Sequence, residues 1–209
     1  MNAMAATDLV LAFTGASGAP YGVRLLEVLL QAGRTVHLTI SPAAALVFEN
    51  ELDRRIRLES FDLADVLGTK KALDKSGFVH YHHYQDYQAG IASGSFLTGG
   101  MVVCPCSMGT VGALAHGLSQ NLIHRAADVH LKEHRPLILV PRETPLNTIQ
   151  LRNLTLCSEA GAIILPAMPP FYTKPKNLQD SIDFIVGRIC DQLGIEHNLF
   201  SRWGEKERG

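Results

Sequence analysis

Short apolar runs recur along the chain at Leu9–Phe13, Val36–Ile40, Met101–Cys104, Pro136–Val140 and Ala162–Leu165. Runs of this length, bounded by Gly, Pro or Ser, read as buried strands. Longer stretches between them place apolar residues at helical spacing. Tyr21–Gln31 is apolar on most faces and is followed by Gly33 at a helix-ending position. Pro42–Leu52 begins with Ser41 as N-cap and Pro42 in the first helical position. Helices are also predicted from Ser107 through Ala115, over Asn121–Arg135, over Thr148–Ala160 and over Asn177–Leu193. Arg54–Tyr87 is polar and less regular, with a helix expected around Leu58–Leu67 and an edge strand near Phe78–His82.

Strands separated by helices predict a three-layer α/β/α domain with a mostly parallel sheet. Fully apolar strands such as Leu137–Val140 suit a sheet covered on both faces. In such sheets ligands bind at the carboxyl ends of the strands. Each strand here is followed by turn-forming or polar residues: Thr14–Ser17, Ser41–Pro42, Pro105–Ser107, Pro141–Glu143 and Pro166–Ala167. Asp86–Gly100, rich in Gly and Ser, is expected to be the mobile loop, and the tail beyond about residue 195 to lie in subunit contacts.

The most telling turn is Thr14-Gly15-Ala16-Ser17-Gly18-Ala19-Pro20-Tyr21-Gly22, directly after the first strand. Glycine lets backbone approach a ligand, and the free N–H groups of a helix start favour an anion. The spacing is G-x-x-G-x-x-x-G rather than the dinucleotide G-x-G-x-x-G. A phosphate-bearing ligand is the first inference, with a tight ligand-free turn as its alternative. Ser107-Met108-Gly109-Thr110 opens a second helix after a strand and offers a second cradle, for an anion or a flavin ring, with simple N-capping by Ser107 as its alternative. Arg142 and Glu143 stand between Pro141 and Pro145, in a stiffened loop suited to binding phosphate and moving protons. Arg125 and Lys132 share a helix face with Asp128 between them. Arg188 and Tyr172 offer a further cation and a phenol.

Composition narrows the class. The 209 residues are 46% apolar and carry a net charge of −1, which fits one globular domain and argues against a general nucleic-acid binder. No apolar run reaches the roughly 18 residues of a membrane span. Met1–Asp8 has no secretory pattern, and Cys104, Cys106, Cys157 and Cys190 do not form a disulfide framework. A cytoplasmic location with reduced thiols is expected. His130-Leu131-Lys132-Glu133-His134 matches H-x-x-E-H, but Pro136 stops the helix and no third ligand stands out, so no metal is expected. His80, His82 and His83 read as exposed edge-strand residues, and Cys104-Pro105-Cys106 as packing.

Taken together, these blocks resemble the UbiX-type flavin prenyltransferases. The resemblance runs through TGASGA at 14–19, Ser41, Ala92–Ser95, CPCSMGT at 104–110, Asn121–Asp128, Lys132–Leu137, Val140–Pro145, Pro169–Tyr172 and Arg202–Gly204. It implies a flavodoxin-like, Rossmann-type fold over a single domain, binding FMN and assembling as a homododecamer. It implies transfer of a dimethylallyl group from dimethylallyl monophosphate to N5 and C6 of reduced FMN, without a metal. The product, prenylated FMN, would serve a UbiD-type decarboxylase, as in ubiquinone synthesis.

By the same resemblance Gly15, Ala16, Ser17, Ser41, Ser107, Met108, Gly109, Thr110 and Arg142 hold FMN. Tyr172, Arg188, Arg125, Lys132 and Arg142 hold the prenyl phosphate, and Tyr87 and Trp203 face the allyl cation. Glu143 exchanges a proton with the leaving phosphate, while Glu51 and Ser17 manage protons at the flavin. Tyr87 stands where the resemblance leads one to expect tryptophan. Two rival readings are an FMN-dependent decarboxylase of the cysteine-decarboxylase type and a non-catalytic FMN carrier. The charged loop Pro141–Pro145 stands against the first. Glu143, Lys132 and Tyr172 together stand against the second.

Overall fold

The computed structural model describes residues 8–68, 77–202 and 204. Six strands form one sheet: β1 (Leu9–Phe13), β2 (Thr35–Ile40), β3 (Phe78–Tyr81), β4 (Gly100–Cys106), β5 (Leu137–Pro141) and β6 (Ile163–Ile164). Every neighbouring pair is parallel, in the order β3-β2-β1-β4-β5-β6. That is the doubly wound order, with its switch point between β1 and β4. Among the described residues seven α-helices cover the faces: α1 (Ala19–Gln31), α2 (Pro42–Leu52), α3 (Leu63–Leu67), α4 (Met108–Ala115), α5 (Leu122–Lys132), α6 (Thr148–Glu159) and α7 (Leu178–Leu193).

Alternation along β1 builds two cores. Leu9, Leu11 and Phe13 join the side covered by α1 and α7, while Val10 and Ala12 join the side covered by α4 and α5. All five residues of β1 are buried, which is why the strand reads as a continuous apolar run. Among the described residues, no helix is long and apolar enough to cross a membrane.

Several boundaries differ from expectation, each for a local reason. β4 continues through Pro105 to Cys106, because a register shift between Val103 and Cys106 lets the ladder pass a residue with no N–H. The helix expected around Leu58–Leu67 is only α3, since the Asp62 side chain accepts from the Ala64 N–H and caps it there. α5 stops at Lys132, three residues early, and His134 beyond it adopts φ +53°. The 86–100 segment is not a loose loop. It contains a short 3-10 turn at Gly90–Ala92, buries Ile91, and is gripped by Arg125 at the Ala92 carbonyl and by Arg135 at the Gly94 and Phe96 carbonyls.

The histidines also fall differently. His37 is buried in β2, its ring stacked at 5.2 Å on both His80 and His82, with its Nδ1 2.9 Å from His82 Nε2. His82 is therefore half-buried, whereas His80 is exposed. His130 is buried, with Nδ1 2.7 Å from the Ala126 carbonyl and Nε2 2.8 Å from Thr98 Oγ1. Both of its ring nitrogens are used in packing contacts.

Candidate active site at the sheet switch point

The carboxyl ends of β1 and β4 are tied together by Thr14. Its hydroxyl donates to the Pro105 carbonyl at 2.9 Å and accepts from the Ser107 N–H at 2.7 Å. The Ser41 N–H donates to the Phe13 carbonyl at 3.0 Å, so the β2 end is fastened to the same point. Three helix starts therefore meet around one crevice: α1 after Gly18, α2 after Ser41 and α4 after Ser107.

These starts are not equivalent. At α1 the Gly18 N–H lies 2.9 and 3.1 Å from the two oxygens of Glu51, and the Ala19 N–H donates to Glu51 at 2.9 Å. The anion of this helix end is thus a side chain of the protein itself. At α2 the Ser41 hydroxyl accepts from the Ala44 N–H at 3.1 Å. At α4 the Ser107 hydroxyl accepts from the Thr110 N–H at 3.2 Å and lies 3.1 Å from the Thr110 hydroxyl. The N–H groups of Met108 and Gly109 belong to the first turn, which a helix cannot pair internally. A Cβ on Gly109 would meet nothing closer than Ser107 Oγ at 3.9 Å, so this start opens on free space.

The glycines of the first turn have structural reasons of their own. A Cβ on Gly15 would lie 2.5 Å from Ala43 Cβ, and one on Gly22 would lie 2.3 Å from both the Cys104 carbonyl and the Phe13 ring. Gly18 takes φ +115°, a conformation other residues rarely adopt. These glycines let α1 and α2 close onto the strand ends; the open cradle is at α4.

Arg142 crosses the crevice from the β5 end, its Nε donating to the Ser17 carbonyl at 3.4 Å. Burial raises the pKa of Tyr21 above its usual value, with Cys104 adding to the shift and the Arg142 guanidinium opposing it. Glu143 is exposed, and its carboxylate accepts from the Thr144 N–H at 3.2 Å. Burial pushes the Cys104 and Cys106 thiols far up, which removes them as nucleophiles at neutral pH.

The structure gathers Gly15, Ala16, Ser17, Ser41, Glu51, Ser107, Met108, Gly109, Thr110 and Arg142 around this crevice. Glu143, next to Arg142, lines a small pocket with Leu146, Leu154, Pro166 and Met168. The other candidates have local partners of their own. Arg125 pairs with Asp128 at 2.8 Å and holds the Ala92 carbonyl, and Lys132 pairs with Glu133. The Tyr87 hydroxyl donates to the Ser119 carbonyl at 3.2 Å. Tyr172 lies edge-on to Phe184, with centroids 6.1 Å apart, and Arg188 pairs with Asp191 at 2.9 Å. Arg24 on α1 bonds Asp183 on α7 at 2.6 Å. Arg188 is five residues further along α7, about 7.5 Å more distant from the strand ends. Trp203 lies outside the described residues.

The Flavoprotein family model matches residues 2–190. The flavin prenyltransferase UbiX of Halalkalibacterium halodurans is 50% identical over 198 residues, covering 92% of this chain and 91% of the relative. The chain belongs to the UbiX flavin prenyltransferase family. Among solved structures, AnUbiX (PadA1) in complex with FMN and dimethylallyl pyrophosphate has a TM-score of 0.84 and 39% identity, covering 97% of this chain and all of that one. A dodecameric FMN-dependent UbiX-like decarboxylase from Escherichia coli O157:H7 has a TM-score of 0.79 and 40% identity, covering 95% of this chain and all of that one. The Glu51 contact at α1 and the stack on His37 have no signature in the sequence: their partners are far apart and follow no period.

Proposed function

We propose that this chain transfers a dimethylallyl group from dimethylallyl monophosphate to N5 and C6 of reduced FMN, making prenylated FMN for a UbiD-type decarboxylase. The observation that carries the reading is the open α4 start beside Arg142. Two hydroxyls, the first-turn N–H groups and a guanidinium converge where the doubly wound sheet binds ligands. This donor set fits a flavin phosphate and the polar edge of a flavin ring. Reduced FMN supplies the nucleophilic N5 and C6.

The chain's own residues do the rest. Breaking the allylic C–O bond leaves the bonding pair, and growing negative charge, on the phosphate. Preorganised cations stabilise that charge, and the cations assigned to it are Arg142, Arg125, Lys132 and Arg188, with Tyr172 donating a hydrogen bond. Glu143 sits next to Arg142 on the same loop and exchanges a proton with the departing phosphate. Glu51 and Ser17 flank the α1 turn and handle the proton at the flavin. Tyr87 and Trp203 are assigned to the allyl cation, which an aromatic face stabilises.

Assembly follows from the same arrangement. On one chain Arg125 and Lys132 are engaged by Asp128 and Glu133 on and beside α5, and Arg188 by Asp191 on α7. We propose that a homo-oligomer, a dodecamer as in the E. coli relative, brings a crevice of one copy to the cations of others. Exposed Ile149, Leu151 and Leu156 on α6 give apolar surface for such contacts.

The test is anaerobic incubation of the purified protein with FMN, reductant and dimethylallyl monophosphate, followed by mass spectrometry of the extracted flavin. Addition of one C5 prenyl unit is expected. Unmodified FMN on folded, flavin-loaded protein, with the diphosphate as donor as well, would overturn the transferase in favour of a carrier.

A further inference from the structure

The C-terminal segment folds back on α7 around a single carboxylate. Gly194, at φ +65°, ends the helix, and the Ile195 N–H returns to the Cys190 carbonyl at 2.9 Å. Asp191 Oδ1 then accepts from His197 Nε2 at 3.2 Å and from the Arg202 guanidinium at 2.7 Å, while its Oδ2 accepts from Arg188 at 2.9 Å. The Leu199 N–H donates to His197 Nδ1 at 3.3 Å, so the network assigns the ring proton to Nε2. The His197 side chain is only 2% accessible. Phe200 packs on Phe184 at 4.8 Å and over Gly187, where a Cβ would come within 2.4 Å of its ring.

The folded segment forms one wall of a cavity of about 400 Å³, opposite Tyr172. Phe184, Phe200, Asp180 and Arg202 also line it. Arg188 and Arg202 both bond the Asp191 carboxylate, near the end of α7. Asp180, in the first turn of α7, accepts from the Lys176 N–H at 2.7 Å.

We propose that Asp191 is a positioning residue for the prenyl-phosphate end of the site: it docks residues 195–202 as a wall beside Tyr172. This rests on the assignment of Tyr172 and Arg188 to that phosphate. A merely structural aspartate would stabilise the tail without tuning donor affinity. A positioning one links the two.

The experiment compares wild type with Asp191→Ala, Asp191→Asn and Arg202→Gln as full-length, FMN-loaded proteins. Donor KM and kcat are measured with dimethylallyl monophosphate, and hydrogen exchange is followed in peptides covering 195–202. Asp191→Ala is expected to raise donor KM about tenfold or more with kcat within about threefold, the signature of lost binding that ground and transition states share. Exchange at 195–202 should speed up by a similar factor while β1 and β4 stay protected. Asp191→Asn, which keeps an acceptor, should fall between, and Arg202→Gln should loosen the tail and raise KM less than Asp191→Ala does. If Asp191→Ala does not fold, the other two variants carry the same comparison. Unchanged exchange, or unchanged donor KM beside a loosened tail, overturns the inference. If wild type makes no prenylated FMN, the functional assignment and the donor half of the inference fail together, and the exchange data still decide whether Asp191 docks the tail.

Discussion

Glu51, at the end of α2, caps α1 across 33 residues of sequence: both its oxygens lie within 3.1 Å of the Gly18 N–H. A carboxylate at a helix start is favoured by the helix dipole and by the unpaired N–H groups there. It also explains why the crevice offers an added anion α4 rather than α1. Replacing Glu51 by Gln removes the charge but not the reach. About 0.3–1 kcal/mol of stability should be lost, read as a fall in Tm of a few degrees or less. If Glu51 also handles the flavin proton, prenylation should fall by about 10²-fold or more while FMN still binds. A variant with wild-type turnover would remove Glu51 from the chemistry and leave it as a cap.

Glu143 is exposed, and its carboxylate accepts from the Thr144 N–H. No ion pair among the described residues uses its charge. Glu143→Gln should therefore melt like wild type and bind FMN, yet form prenylated FMN roughly 10²–10⁴-fold more slowly, the usual range for a lost acid–base group. Equal rates by flavin mass spectrometry would sink its proton-transfer role.

Two glycines with the same sequence logic should behave in opposite ways. Gly22→Ala drives a methyl group to 2.3 Å from the Cys104 carbonyl and the Phe13 ring, a backbone and a core aromatic that cannot yield cheaply. A loss of about 1–3 kcal/mol is expected. Gly109→Ala meets open space and improves helix propensity, so its Tm should stay level or rise. Melting the two variants side by side checks the pair, and a destabilised Gly109→Ala would mean the α4 cradle is not open.

The order of elements was readable because strands buried on both faces are continuous apolar runs, and because Ser41, Ser107, Asn121 and Asn177 are side-chain caps at the starts of their helices. The crevice was readable too, since turns after parallel strands must converge at the switch point. Misjudged features were those set by tertiary contact. The ordering of 86–100 depends on Arg125 and Arg135, which follow it in sequence by dozens of residues. The packing role of Gly15 and Gly22 against Ala43, Phe13 and Cys104 was likewise hidden.

Buried histidines should make the protein acid-sensitive above the range where carboxylates titrate. Burial lowers the pKa of His37, His82, His124 and His130, with His82 depressed further by the nearby His37. For His37 the Asp8 contact opposes the shift, and for His130 the hydrogen bond to the Ala126 carbonyl does. A base with a folded pKa below its unfolded one binds fewer protons folded than unfolded. Stability is then complete above the unfolded value of about 6.5 and is lost as pH falls from there toward the folded values. Each fully neutral buried imidazole contributes a slope of up to about 1.4 kcal/mol per pH unit within that window. Asp191 does not confuse the reading. Burial pushes its carboxyl up, but Arg202 and His197 outweigh that and hold it below the usual aspartate value, so its share is lost only at lower pH. Tm measured from pH 7 to pH 5 should fall steadily. His130→Gln, which removes one of these proton sites while keeping polar reach toward Thr98, should flatten the slope by about one proton's worth. A Tm independent of pH across that range, or an unchanged slope in His130→Gln, would show that these rings are protonated in the fold and that His130 is not held neutral between Thr98 and Ala126.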